Sequence, residues 1–148
     1  MTTYQEAELN EALLTELIAL SRNWEAEDSC WGYRANTRED LEGRRIFLAQ
    51  EDGQTIGYLF GKPDRLHQKR ASMPANAKLF EVEELYVIPS CRSQGIGKAL
   101  FQYAEEKLKP DAEYIVLSTA TKNWKAILHF YLEQLDLQFW SATLFRKI

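Results

Sequence analysis

The chain has almost no cysteine, no excess of basic charge and no long apolar run. Two cysteines, Cys30 and Cys91, cannot build a disulfide framework, and reduced thiols in a cytoplasmic protein are the simple reading. Eighteen lysines and arginines stand against 22 acidic residues, a net charge of −4. That balance argues against a nucleic-acid partner, which calls for a basic excess, and mildly favours a cationic small molecule. No apolar run approaches the roughly 20 residues of a membrane helix, so no membrane partner is expected. The N-terminus, Met1-Thr2-Thr3-Tyr4-Gln5-Glu6, is acidic and has no apolar core segment, so no signal peptide is expected. Repeats and low-complexity linkers are missing, which leaves one domain over residues 1–148. No metal site is expected.

What remains is 148 residues, 45% apolar and 27% charged, enough for a sizeable core. One stretch, Glu83 to Leu100, organises the rest. Leu85–Ile88 is strand-like and ends at Pro89, which cannot donate to a central ladder. Ile96, Ala99, Leu100, Tyr103, Ala104 and Leu108 then recur at helical spacing. Between them, Arg92-Ser93-Gln94-Gly95-Ile96-Gly97 makes a turn with little side-chain bulk. Its glycines let the backbone approach a ligand. The first N–H groups of a helix lack partners and carry partial positive charge, which suits a pyrophosphate. Spacing alone equally fits a turn that uses glycine only for packing. The run lacks the third glycine of a dinucleotide fingerprint and the Gly-Lys-Ser/Thr of a P-loop.

The run resembles the GNAT acetyltransferases, whose motif is Arg/Gln-x-x-Gly-x-Gly/Ala. Arg92, Gly95 and Gly97 fill it, with Val87-Ile88-Pro89 before and Ala99-Leu100 after, as in the family. The resemblance implies an α/β fold, a mixed and splayed sheet of about six to seven strands flanked by about four helices. It implies acetyl-CoA as co-substrate. The pyrophosphate would lie on Arg92, Ser93, Gln94, Gly95, Ile96, Gly97 and Lys98, the thioester along the backbone of Leu85, Tyr86 and Val87, and the pantetheine arm near Asn123. Glu83-Glu84-Leu85-x-Val87 is similar to the acid-acid-apolar-x-Val strand of the polyamine acetyltransferases within that group. There Glu83 matches the general base, with Glu84 the alternative. Asn123-x-x-Ala126 and Phe130-Tyr131 match the family's last helix, where the tyrosine sits beside the thioester sulfur. This chain departs from that pattern in two ways. Ala126 to Tyr131 is one residue longer than usual, and Asp136-Leu137 replaces a Gly-Phe.

Elsewhere the pattern predicts a short first strand over Thr2–Ala7 and a helix from Asn10 with Leu13, Leu17, Leu20 and Trp24 in one stripe. Glu25 to Arg34 is acidic and aromatic together: a solvated loop whose Trp31 and Tyr33 cover the core, or a wall for a cationic substrate. Thr37–Gly43 reads as a short capped helix. Arg45–Gln50 and Thr55–Gly61 read as a hairpin around Asp52-Gly53, with Gly57 marking a bulge or a close approach. Lys62–Pro74 reads as a polar loop. In the strand Leu79–Ile88, alternation puts Glu83, Leu85 and Val87 on one face and Glu84 and Tyr86 on the other, unless a bulge intervenes. Glu113–Ala120 is a strand covered on both faces, joined to the previous one through a parallel βαβ crossover. Cofactors in such sheets bind beyond the carboxyl ends of strands, where neighbours part. Gln138–Ile148 reads as a closing aromatic strand, open to pairing across a homodimer.

The chemistry implied is direct acetyl transfer to a primary amine, with a small cationic acceptor favoured by the acidic residues. A protein amine is the alternative acceptor. A second reading is a GNAT-like domain that binds CoA without catalysis.

Overall fold

The computed structural model describes residues 1–148. Its elements in order are β1 (Thr3–Ala7), α1 (Glu11–Glu27), α2 (Arg38–Leu41), β2 (Arg45–Glu51), β3 (Gln54–Arg65), β4 (Lys78–Val87), α3 (Ile96–Leu108), β5 (Tyr114–Val116) and α4 (Trp124–Leu128). The sheet runs β1-β2-β3-β4-β5, antiparallel except for the parallel β4–β5 pair. Both helices that pack on the sheet have local signals for their ends. Asn10 caps α1 by accepting from the Leu13 N–H at 2.8 Å. Gly95 opens α3 at φ 80°, a left-handed conformation that favours glycine.

Strand alternation sorts the core into two layers. Ile46, Leu48, Tyr58, Phe60 and Tyr86 face α1 and α2. Phe47, Ala49, Leu59, Phe80 and Val82 face α3, whose Ile96, Leu100, Phe101, Ala104 and Leu108 are buried against them. The β2–β3 turn has both Asp52 and Gly53 at positive φ (50° and 77°), the conformation that matches hairpin twist.

The sheet has five strands, not six or seven, for two physical reasons. β5 keeps strand pairing only over Tyr114–Val116. The predicted strand 138–148 forms no ladder: the segment is irregular and exposed, with Phe139, Trp140, Leu144 and Phe145 each more than half exposed. β3, in turn, continues to Arg65 through what reads as loop. β2 stops at Arg45 opposite Gly61, so Pro63 lies where β3 has an open edge, a place a sheet tolerates proline.

Candidate active site

The site begins where β4 and β5 part. They pair over three positions, Leu79–Tyr114, Phe80–Ile115 and Glu81–Val116. Past Val116 the chain takes a new partner, the loop after α1. Trp31 donates its N–H to the Ala120 carbonyl (2.9 Å), and Lys122 donates to Ser29 (2.8 Å). β4 from Val82 onward therefore has one free edge. Ile88 donates to the Ile56 carbonyl on β3 (2.9 Å), so antiparallel alternation turns the N–H of Tyr86 to β3 as well. Leu85 and Val87 direct theirs to the split. Of the three residues expected along a thioester, Leu85 and Val87 turn their N–H groups to the split, whereas Tyr86 does not. The Tyr86 backbone is spent on β3, and its phenol donates to Glu27 Oε2 at 2.7 Å on the α1 face.

At the end of that free edge lies the glycine turn. Ser93 (φ 62°) and Gly95 (φ 80°) both adopt the left-handed conformation, which curls successive N–H groups into a concave surface. The N–H groups from Ser93 through Lys98 have no acceptor within the protein; the first helical bond is Ala99 N–H to the Gly95 carbonyl, 3.0 Å. Nothing lies within 4 Å of the place a Gly95 Cβ would take. A row of unpartnered donors at the start of a 13-residue helix fits a pyrophosphate.

Arg92 does not point into this turn. Its Nε caps the Val87 carbonyl (2.8 Å), and its two terminal nitrogens hold Glu27 at 2.7 and 3.0 Å. Its guanidinium also lies 5.3 Å over the Tyr86 ring. Burial works against the Glu27 charge, but the bonds from Arg92 and Tyr86 prevail and hold its carboxyl below the usual range. Arg92 thus fixes the turn from behind and ties it to the end of α1.

The paired glutamates part company because of a bulge. The β3–β4 register slips between Phe60–Glu84 and Gly61–Val82, which leaves Glu83 as the extra residue. Phe80, Val82, Leu85 and Val87 all pack toward α3, a phase change that needs one inserted residue. Glu83 meets Arg44, which spans both carboxylate oxygens at 2.5 and 3.3 Å. Glu84 turns to the α1 side. Its Oε1 accepts from Tyr58 Oη (2.8 Å), Asn36 Nδ2 (2.9 Å) and Tyr33 Oη (3.0 Å), and its Oε2 has no protein partner. Burial pushes the Glu84 carboxyl above the usual range, opposed in part by those three bonds. Burial also raises Tyr33 and Tyr58, with the Glu84 charge adding to it. A cavity of about 260 Å³ opens here, lined by Tyr33, Arg34, Asn36, Asp40, Glu83 and Glu84 among others.

The last helix resolves the extra residue between Ala126 and Tyr131. α4 passes into a π-helical turn over His129–Gln134, where the Leu135 N–H bonds the Phe130 carbonyl five residues back (3.0 Å). A π turn takes up one residue more than an α turn, so the insertion is absorbed inside the helix. Tyr131 packs in the α3 layer, 5.0 Å from Phe130 and 6.4 Å from Phe101 between ring centroids. Its hydroxyl makes no hydrogen bond, and burial, with the Cys30 thiol adding to it, pushes its pKa up to about 12. Asn123 begins α4 with its side chain exposed and unused in capping. Lys98 is exposed on the first turn of α3.

Sequence reasoning missed the partners: Tyr33, Asn36 and Tyr58 on Glu84, Arg44 on Glu83, and Glu27 on Arg92. The β3–β4 register, with Tyr58 diagonal to Glu84, brings only Tyr58 into view.

Comparison with known proteins agrees with this architecture. The GNAT acetyltransferase family model matches residues 8–136. An uncharacterized N-acetyltransferase of Lactobacillus delbrueckii subsp. lactis is 30% identical over 123 residues, spanning 72% of this chain and 69% of its own. Among solved structures, an aminoglycoside acetyltransferase from an uncultured soil metagenomic sample superposes with a TM-score of 0.71 at 21% identity, covering 100% of this chain and 97% of that one. An aminoglycoside N-acetyltransferase solved in complex with CoA gives 0.67 at 16% identity, covering 99% and 98%. A split sheet, a row of free N–H groups at its mouth and a family match over most of the sequence lead to one conclusion: the chain belongs to the GNAT acetyltransferase family and is an acetyl-CoA-dependent N-acetyltransferase.

Proposed function

We propose that the acceptor is a small-molecule primary amine, acetylated by direct attack, with Glu84 taking its proton and Tyr131 supporting the departing sulfur. The observation that carries this reading is the free Oε2 of Glu84, a partly buried carboxylate on the strand whose open edge leads to the N–H turn. The aminoglycoside acetyltransferases among the structural neighbours support an amine acceptor. Glu83, the family's counterpart of the base, is less suited here, because Arg44 must be displaced before either of its oxygens takes a proton.

A primary amine with a pKa near 10.4 is neutral in about one molecule in a thousand at pH 7, a cost of about 4–5 kcal/mol. Glu84 Oε2 accepts a proton from the ammonium, leaving a neutral amine and a carboxylic acid. Its raised pKa narrows the gap to the amine and so helps this transfer. The amine lone pair then forms the C–N bond to the thioester carbonyl carbon, the C–S bond breaks, and sulfur leaves with the electron pair. The N–H groups of Leu85 and Val87 polarise the carbonyl oxygen as charge develops. The second nitrogen proton goes to the sulfur as the amide forms, and Glu84 returns its proton to water. The turn from Ser93 to Lys98 holds the pyrophosphate, with Asn123 beside the pantetheine arm.

Release of CoA thiol from acetyl-CoA, followed with and without amines, tests this. Amine-dependent release is expected, and Glu84→Gln should lower kcat by about 100-fold or more, beyond the loss in Glu83→Gln. Equal losses in both variants would remove Glu84 from the role.

A further inference from the structure

The acidic residues that favour a polycationic acceptor are nearly all engaged by the protein itself. Glu25 Oε2 accepts the Ala35 N–H (3.0 Å), Glu27 is held by Arg92, and Asp28 pairs with Lys122 (3.0 Å). Asp40 Oδ2 accepts from the Thr37 N–H and hydroxyl at the start of α2. Glu83 lies in the fork of Arg44. Among the carboxylates lining the cavity, Glu84 is enclosed by Tyr33, Asn36 and Tyr58 and keeps Oε2 without a protein partner, whereas Asp40, whose Oδ1 is also unpartnered, has the Arg34 charge near it. A second ammonium on the same molecule would meet Asp40 only with the Arg34 guanidinium close by.

The cavity also contains a cation that the protein does not use. Arg34 lines it, is exposed, and makes no hydrogen bond, ion pair or aromatic contact. Asp40 is near enough for the two charges to interact, but no ion pair forms. The other arginines near these carboxylates, Arg38, Arg44 and Arg92, are each bonded to a glutamate. An unpaired guanidinium repels a polycation. It also presents a planar fork of donors that matches a carboxylate.

We infer that the acceptor is an amino-acid-like zwitterion, whose ammonium is held by Glu84 Oε2 and whose carboxylate is held by Arg34. This rests on the reading of the protein as an amine acetyltransferase and names the class of amine. The ammonium, once deprotonated, attacks as described above; the carboxylate stays ionised on Arg34 and orients the nitrogen. The cavity, about 260 Å³, accommodates a molecule of that size.

The test compares acceptors that differ in one charge. CoA release is measured with free α- and ω-amino acids, with their carboxamides, with linear diamines and with an aminoglycoside. Free amino acids should exceed their carboxamides in kcat/KM by about tenfold or more, the worth of one charged hydrogen-bonding pair. Arg34→Gln should collapse that ratio toward one through KM, and Arg34→Lys should restore part of it. Arg34 has no protein partner to lose, so both variants should fold, which thermal melting verifies. A higher kcat/KM for diamines or the aminoglycoside, or an acid-to-amide ratio indifferent to Arg34→Gln, would overturn the inference while leaving the transferase intact. Absence of CoA release with every acceptor would overturn the transferase reading, and this one with it.

Discussion

Tyr131→Phe separates two roles that a tyrosine beside a thioester can play. With a pKa of about 12 in the folded protein, the phenol lies about 3.5 pKa units above a reference thiol at about 8.5. Full proton donation to the leaving sulfur would therefore run uphill by about 5 kcal/mol. A hydrogen bond that strengthens as the sulfur gains charge has no such cost, and bonds to charged groups contribute about 1.5–3 kcal/mol. Removing the hydroxyl should then lower kcat by about 10- to 150-fold. The ring packs on Phe101 and Phe130 and is retained by Phe, so the fold and acetyl-CoA affinity should change little. The assay is steady-state CoA release at saturating amine, with acetyl-CoA affinity measured separately by calorimetry. A drop in kcat with affinity preserved supports the role. Unchanged kcat, or equal losses in kcat and affinity, would mean that Tyr131 only packs.

Three further outcomes follow from the geometry. Glu84 has a raised pKa in the fold, so its ionisation costs stability: the cost is full above the folded value, shrinks as pH falls through it and is gone below the unfolded value near 4.3. Glu84→Gln should therefore raise Tm at pH 7–8, with the gap to wild type closing as the pH is lowered; a gap independent of pH would refute the assignment. Glu27 has a lowered folded pKa, so the stability it contributes is present above about 4.3 and lost as pH falls through the folded value. Glu27→Gln should destabilise at pH 7, and thermal melting should show the difference fading below pH 4. A Cβ at Gly61 would fall within the van der Waals shell of the Glu81 carbonyl oxygen and 2.8 Å from Phe80 Cε1. Gly61→Ala should cost about 1–3 kcal/mol and lower Tm by on the order of 5 °C in thermal melting.

The parts of this architecture that are periodic or local could be read from the chain. The α1 and α3 stripes, the Asp52-Gly53 hairpin and the glycine turn each follow from residues a few positions apart. The missing parts depend on register and on distant partners. The bulge at Glu83 arises from the β3–β4 pairing, and it alone decides which glutamate joins Tyr33, Asn36 and Tyr58 and which joins Arg44. The π turn explains a spacing that looked like a departure, because helix type is set by packing and leaves no residue pattern in Phe130-Tyr131 itself. The segment 138–148 carries strand-forming residues, yet propensity does not supply a partner, and β5 offers a ladder only three residues long. Arg92 fills its motif position while its side chain serves Glu27 and Val87, a role visible only once α1 ends beside the turn.

The central claim is that the open edge of β4 and the turn after it hold acetyl-CoA. Backbone amide NMR of the protein titrated with CoA tests it residue by residue. The largest shifts should fall on Ser93 to Lys98, with Leu85 and Val87 also moving, while Tyr86 and the β1–β2 pair stay near their starting positions. Saturable shifts confined to other elements, or none at millimolar CoA, would contradict the account.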